Sequence, residues 1–332
     1  MKRLATWLIA AVLLATVSCG PRTQPIPLFP ESAAGKSPAP GETKTPAPAE
    51  PAAETLPAAF PAGVHDLALL CHSDRSGDSD VWLLDFGEGT ALQLTDHPAF
   101  DGFASWSPDR DRIVFVSDRD GNREIYLMDA DGDDPLRLTE NDDDDSYPVF
   151  LPDGETIAFF SRVGEADQLC LMDDDGENLR VLTAFETGQG GPAAISPDGD
   201  TIAFAYLQTG NYKIFLIENG GAPREIVAHG CAESRFCFTP DGQALVAASG
   251  RGATRDIWKY RFREGSYQRL TRGAGDALSP TISPEADQVA FSSQRDGKNW
   301  QLYLLGLDND PVKNPVVRLT RDSASYYYPE WR

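Results

Sequence analysis

An all-β fold, a six-bladed β-propeller of four-stranded blades closed by the C-terminal strand, is what this sequence predicts, and three observations predict it. The pair Leu-Thr recurs at Leu94-Thr95, Leu138-Thr139, Leu182-Thr183, Leu270-Thr271 and Leu319-Thr320, with Ile226-Val227 in the vacant slot; the intervals are 44 residues except the last, which is 49. A Ser-Pro-Asp-Gly type of turn recurs at Pro108, Pro152, Pro197, Pro240 and Pro284, 43 to 45 residues apart. Each period also holds a short run that is apolar on both faces: VWLL, IYLM, LCLM, IFLI, IWKY and LYLL. A half-exposed strand would alternate, so these sheets must be covered on both sides, and a fixed period of this length means stacked copies of one unit.

The chain begins with an address. Lys2 and Arg3 precede an apolar run from Leu4 to Val17, the pattern of a secretory signal and too short to span a bilayer comfortably. It ends at Thr16-Val17-Ser18-Cys19-Gly20, which resembles a lipobox, with Thr16 where leucine is usual. Residues 1–19 are therefore expected to be a lipoprotein-type signal peptide with Cys19 as the lipid attachment point; the alternative is an ordinary signal cut nearby. Gly20, in place of an inner-membrane retention aspartate, points to an outer-membrane or cell-surface destination. Residues 20–62, rich in Pro, Ala, Thr, Ser and Glu, hold too little apolar area to offset the entropy of ordering and are expected to form a disordered tether. Residues 63–332 remain for the propeller.

A formal net charge of −22 argues against nucleic acid, which wants a basic footprint, and against anionic lipid head groups. Of the cysteines beyond Cys19, Cys71 and Cys170 fall on strand positions and are expected to be buried free thiols. Cys231 and Cys237 are spaced so that an exported chain could pair them.

One unit reads FASWS, RIVFVS, EIYLMD and LRLT, four strands joined by PDRD, DRDGNR and ADGDDP, which are turn compositions. The sixth inner strand comes from the last residues, YYYPEWR, whose Pro329 and Trp331 match Pro148 and Phe150, so that the two chain ends share a blade and the ring has no free edge. The additional residues of the last period, GLDNDPVKNPVV, are expected to lengthen one outer hairpin. The motif P-x-W-S-P-D-G, I-x-F-x-S-x-R-D-G, I-Y-x-M-D-x-D-G, R-L-T is similar to the WD-type repeat of TolB, the periplasmic propeller of the Tol system, over about four-fifths of the chain. The same repeat occurs in the propellers of prolyl oligopeptidase-type enzymes and of an oligogalacturonate lyase, so the resemblance implies a fold more than an activity. In place of the folded α/β domain that precedes the TolB propeller, this chain has the Pro/Ala tether.

With the WS-containing strand innermost, the Ser-Pro-Asp turns share one face of the ring, and the crossings between blades share the other with the second-to-third-strand loops. Only the crossings approach the central channel, so a site is sought there. Asp101 and Asp145 lie five residues before the inner-strand aromatic, Glu233 fills that slot before Phe238, and Asp276 is displaced from it by one. A partial ring of carboxylates at the channel mouth follows; the competing reading is that each caps backbone N–H groups of its own turn. Glu140 to Ser146 adds an acidic run, which is a patch for a basic partner or a solvated loop. Tyr326, Tyr327 and Tyr328 bring aromatics to the same face, at least one of them buried in blade closure, and Arg119 is expected at the rim. Asp129 to Asp134 imitates a calcium loop but lacks glycine at the sixth place and has strands for flanks, so a hairpin is expected. His97 and His229 sit on opposite blades, and neither H-E-x-x-H nor G-x-S-x-G is present.

These features point to a non-enzymatic protein-binding platform in the cell envelope, lipid-anchored and monomeric, with Asp101, Asp145, Glu233, Asp276, Arg119, Tyr326 and Tyr327 as contact residues. No cofactor, metal or nucleic acid is expected. The alternative is a carbohydrate- or metal-binding lyase or hydrolase that uses the channel mouth.

Overall fold

The computed structural model describes residues 53–56, 67–208, 210–231, 234–250, 254–272, 275–307 and 315–332. The signal run, Cys19, most of the tether and Glu233 lie outside the described residues.

The six blades follow the predicted order. Blade 1 holds Ala68–Ser73, Asp80–Asp85 and Thr90–Gln93, with Tyr326–Trp331 paired to its inner edge. Blade 2 is Asp101–Trp106, Arg112–Ser117, Glu124–Asp129 and Leu136–Arg137. Blade 3 is Asp145–Phe150, Thr156–Val163, Ala166–Asp173 and Arg180–Val181. Blade 4 runs from Gln189–Ile195 through Thr201–Gln208 and Asn211–Glu218 to Arg224–Cys231. Blade 5 comprises Cys237–Phe238, Ala244–Ser249, Asp256–Arg261 and Ser266–Arg269. Blade 6 comprises Ala277–Ile282, Gln288–Ser293, Gln301–Gly306 and Val317–Arg318. A single pairing of Cys231 with Ser249 links the sheets of blades 4 and 5.

The core is divided among the blade interfaces. Trp82, Leu84, Leu302 and Leu304 join blades 1 and 6; Leu70, Trp106 and Phe115 join blades 1 and 2. Four further clusters continue round the ring. The apolar run of every third strand is buried except in blade 5, where Trp258 to Arg261 are half-exposed. There the expectation of cover on both faces fails, because Lys259 stands where the other copies have leucine.

The Leu-Thr repeat has a local cause. Thr95, Thr139, Thr183, Thr271 and Thr320 each accept a backbone N–H of the third strand, from Val81, Ile125, Leu169, Ile257 and Leu302, at 2.9 to 3.0 Å. Four of these hydroxyls donate to the side chain one residue before that N–H: Asp80, Glu124, Gln168 and Asp256. The threonine thus ties the end of the outermost strand to a buried polar group and supplies one of that group's donors.

The structure corrects one boundary and one cysteine pairing. Glu54–Thr55, inside the expected tether, pairs with Ala91 and Thr90 as a fifth outer strand of blade 1, and Leu56 is buried in the core. Covering an exposed edge strand and burying one leucine gives this short piece a reason to order. Cys237 is a free thiol, which sets aside its pairing with Cys231. Cys71 and Cys170 are free and buried as expected, and burial pushes the Cys170 thiol up to about 12. The Asp129 to Asp134 loop is a hairpin turn, with Gly132 at φ 93° and the Asp129 N–H bonded to the Asp133 carbonyl.

Candidate functional site on the crossing face

The site is built from a bulge repeated in the inner strands. Phe103, Tyr147, Ser279 and Tyr328 all adopt φ between 51° and 54°, where the pairing register shifts or the equivalent position falls. One additional residue bends the strand and re-aims its side chain. In blades 1, 2 and 3 that residue is aromatic, and the rings meet: Phe103 lies 4.6 Å from Tyr147 and 4.9 Å from Tyr328 between centroids. His72 is stacked beside them on Tyr327 and Tyr328, with Phe100 and Phe103 at its edge. Burial, with a smaller contribution from Arg235, pushes the His72 imidazole down to about 3, so it is neutral here.

These rings fill the channel. A space of only about 20 Å³ remains between Phe103, Tyr147, Pro192, Arg235 and Tyr328. Arg235 of blade 5 crosses it, with Nη1 2.8 Å from Glu330 on the closing strand and Nη2 donating to the Ala104 carbonyl at 2.6 Å. Beside this plug the crossing between blades 2 and 3 opens a polar cleft of about 430 Å³, walled by Arg123, Asp142, Asp143, Asp144, Tyr147 and Tyr212 among others. Tyr147 lines both spaces.

The carboxylates expected at the mouth are elsewhere. Asp101 and Asp145 are fully buried, and the expectation that they face a partner is corrected accordingly. Arg119 Nη2 reaches both oxygens of Asp101, at 2.9 and 3.1 Å, and its guanidinium lies over Tyr126 at 4.9 Å, so Arg119 is an internal brace rather than a rim contact. Asp145 accepts Asn141 Nδ2 at 2.9 Å, and burial pushes its carboxyl up to about 6. Asp276 is half-buried and accepts the Arg255 N–H at 2.7 Å, a backbone cap on the loop before the third strand of blade 5 and not on its own turn. Tyr326 is fully buried, its hydroxyl donating to Asp322 and accepting from Arg75, which removes it from the contact surface. Tyr327 stays half-exposed between His72 and Trp300.

The same slot explains the arginines. Arg75, Arg119 and Arg295 follow by two residues the serines paired with Tyr326, Asp101 and Ala277. Tyr326 and Asp101 supply an acceptor; Ala277 supplies none, and Arg295 rests on Phe291 and Tyr303 at 4.9 and 5.0 Å. The residues missed at the channel, Phe103 and Tyr147, had a signal: each stands three residues before the inner-strand Trp106 or Phe150, as Tyr328 stands before Trp331.

A closed six-bladed ring with a plugged channel and a loop face carrying aromatic and charged groups defines a WD-like propeller. Residues 50–192 and 184–310 match the TolB beta propeller domain. The chain belongs to that family. A protein TolB homolog of Chlorobium luteolum is 26% identical over 151 residues, 43% of this chain and 33% of that one. The chain spans a third to a half of the length of the curated relatives it matches first. Among solved structures, TolB from Acinetobacter baumannii superposes with a TM-score of 0.69 at 19% identity, covering 81% of this chain and 67% of the other. An oligogalacturonate lyase in complex with manganese gives 0.50 at 17% identity, covering 71% and 85%. Both likenesses are of fold.

Proposed function

We propose that the protein is a non-enzymatic platform that binds a protein partner in the cell envelope through its crossing face. The chain would be exported and held by a lipid on Cys19, on the periplasmic or cell-surface side of a membrane, as a monomer. The observation that carries this reading is the half-exposed aromatic centre of Tyr147, Tyr327 and Tyr328 beside the exposed carboxylates Asp142, Asp143 and Asp144. An aromatic centre inside a charged rim is the composition of a contact surface. A ring of six packed blades holds these loops in place before docking, so little ordering entropy is lost. Membership in the TolB beta propeller domain family and the likeness to TolB homologues agree with it. The lyase alternative would have a substrate enter the channel mouth, where the plug of Phe103, Tyr147, Tyr328 and Arg235 leaves about 20 Å³.

The test is capture from native envelope extract by the full chain and by Tyr147→Ala and Tyr327→Ala variants whose thermal midpoints are matched. A stoichiometric protein held by the parent and lost from the variants is expected. Equal capture by all three would overturn the assignment of this face.

A further inference from the structure

The polar cleft between blades 2 and 3 carries an inference beyond protein docking. Its volume of about 430 Å³ lies in the small-molecule range, and its walls hold unspent groups of both signs. Asp142 and Asp143 are exposed, and among the described residues their carboxylates accept no hydrogen bond. Asp144 spends one oxygen on the Arg123 N–H at 3.0 Å and keeps the other. The Arg123 guanidinium is half-buried and lies on the faces of Phe100 and Phe103, at 5.3 and 5.8 Å, with no carboxylate paired to it among the described residues. Arg123 is thus left without a carboxylate although three line the same cleft.

The other charges of the cleft are already used. Arg162 is paired with Asp167 at 2.9 Å, and the second oxygen of Asp167 accepts the Gly190 N–H at 2.9 Å. Gly190 itself cannot carry a side chain, because a Cβ would lie 2.2 Å from the Phe160 ring, so the backbone forms that wall. What is left over is one cation and a group of anions, not ion-paired with one another and lining the same space. A purely cationic ligand would leave Arg123 repelled, and an anionic one would meet Asp142 and Asp143. A ligand with both charges satisfies both, and a cavity of this volume, about 9 Å across if compact, matches two to three extended residues of about 3.4 Å each.

We propose that this cleft binds a short zwitterionic peptide, its terminal ammonium on Asp142 and Asp143 and its terminal carboxylate on Arg123. Aromatic support holds the guanidinium in place, and charge-assisted bonds supply the selectivity.

Triglycine is the probe, with N-acetyl-triglycine amide as its charge-free control, both titrated into the full chain by calorimetry and by chemical-shift perturbation. The expected result is saturable binding of triglycine, weakened about tenfold or more in the capped form, in the Asp142→Asn/Asp143→Asn variant and in Arg123→Gln, with Arg123→Lys retaining part of it. Thermal midpoints equal to the parent's verify that the variants fold. The proposal is overturned by no saturation at about 10 mM, by equal binding of the capped peptide, or by variants that bind as the parent does.

Discussion

Arg119 and Asp101 form a buried ion pair, with Nη2 at 2.9 and 3.1 Å from the two carboxylate oxygens and Nε bonded to Ser117 Oγ at 2.8 Å. The pair joins the first residue of the inner strand of blade 2 to the loop after its second strand. Removing one partner leaves the other charge buried and uncompensated, which costs about 3–5 kcal/mol. Asp101→Ala is therefore expected to lower the unfolding free energy by about that amount, measured by urea denaturation followed by tryptophan fluorescence. A loss below about 1 kcal/mol would show that Arg119 finds another acceptor, as Arg295 does without a carboxylate on its aromatic rings.

His72 links folding to acid. Its imidazole is held at about 3 in the folded chain against 6.5 ordinarily, chiefly by burial. The unfolded chain binds a proton in that interval and the folded chain does not, so the contribution is full above about pH 6.5 and is lost as pH falls towards 3. His72→Gln removes this dependence. Between pH 6.5 and 4 the free-energy difference between parent and variant should shift in the variant's favour, by up to about 1.4 kcal/mol per pH unit. Parallel curves for the two proteins would contradict a buried neutral imidazole.

Asp145 has the opposite sign. Burial raises its carboxyl to about 6 from 3.8, so between those values the folded chain keeps a proton that the unfolded chain releases. Stability from this group is highest below pH 3.8, falls as pH rises to about 6, and is constant above. Asp145→Asn is expected to be more stable than the parent by as much as ~3 kcal/mol at pH 7.5 and no more stable at pH 3.5. Thermal midpoints at the two pH values decide it.

Much of the fold was legible because the repeat is a repeat of hydrogen bonds. Thr95, Thr139, Thr183, Thr271 and Thr320 each accept a third-strand N–H, and losing one would leave that buried N–H without its side-chain acceptor. The site was less legible, for two physical reasons. The bulge at Phe103, Tyr147 and Tyr328 breaks the alternation by which a strand residue is assigned to a face. Asp101 precedes the bulge and therefore turns inward, towards Arg119. The other reason is distance: Arg235 meets Glu330 from the far side of the channel, and no spacing rule links residues of different blades. A recurring Ser-x-Arg, at Ser73-Arg75, Ser117-Arg119 and Ser293-Arg295, was the signal that the loop arginines serve the interior.

Arg235 gives a test of ring closure itself. It bonds Glu330 on the C-terminal strand of blade 1 and the Ala104 carbonyl of blade 2 while belonging to blade 5, so it spans the ring instead of a neighbouring interface. Glu330 in turn accepts from Ser105 Oγ at 3.2 Å and the Trp106 N–H at 3.3 Å. The closing strand is therefore held by its pairing with Ala68–Ser73 and by this cross-channel contact. If the contact contributes to closure, Arg235→Met and Glu330→Gln should each destabilise, and the double variant should lose less than the sum, with a coupling of about 1–3 kcal/mol. Because closure strands separate early when a ring opens, the single variants should also unfold faster, measured by stopped-flow fluorescence, while refolding rates stay near the parent's. Additive losses with unchanged unfolding rates would mean that strand pairing alone keeps the propeller shut.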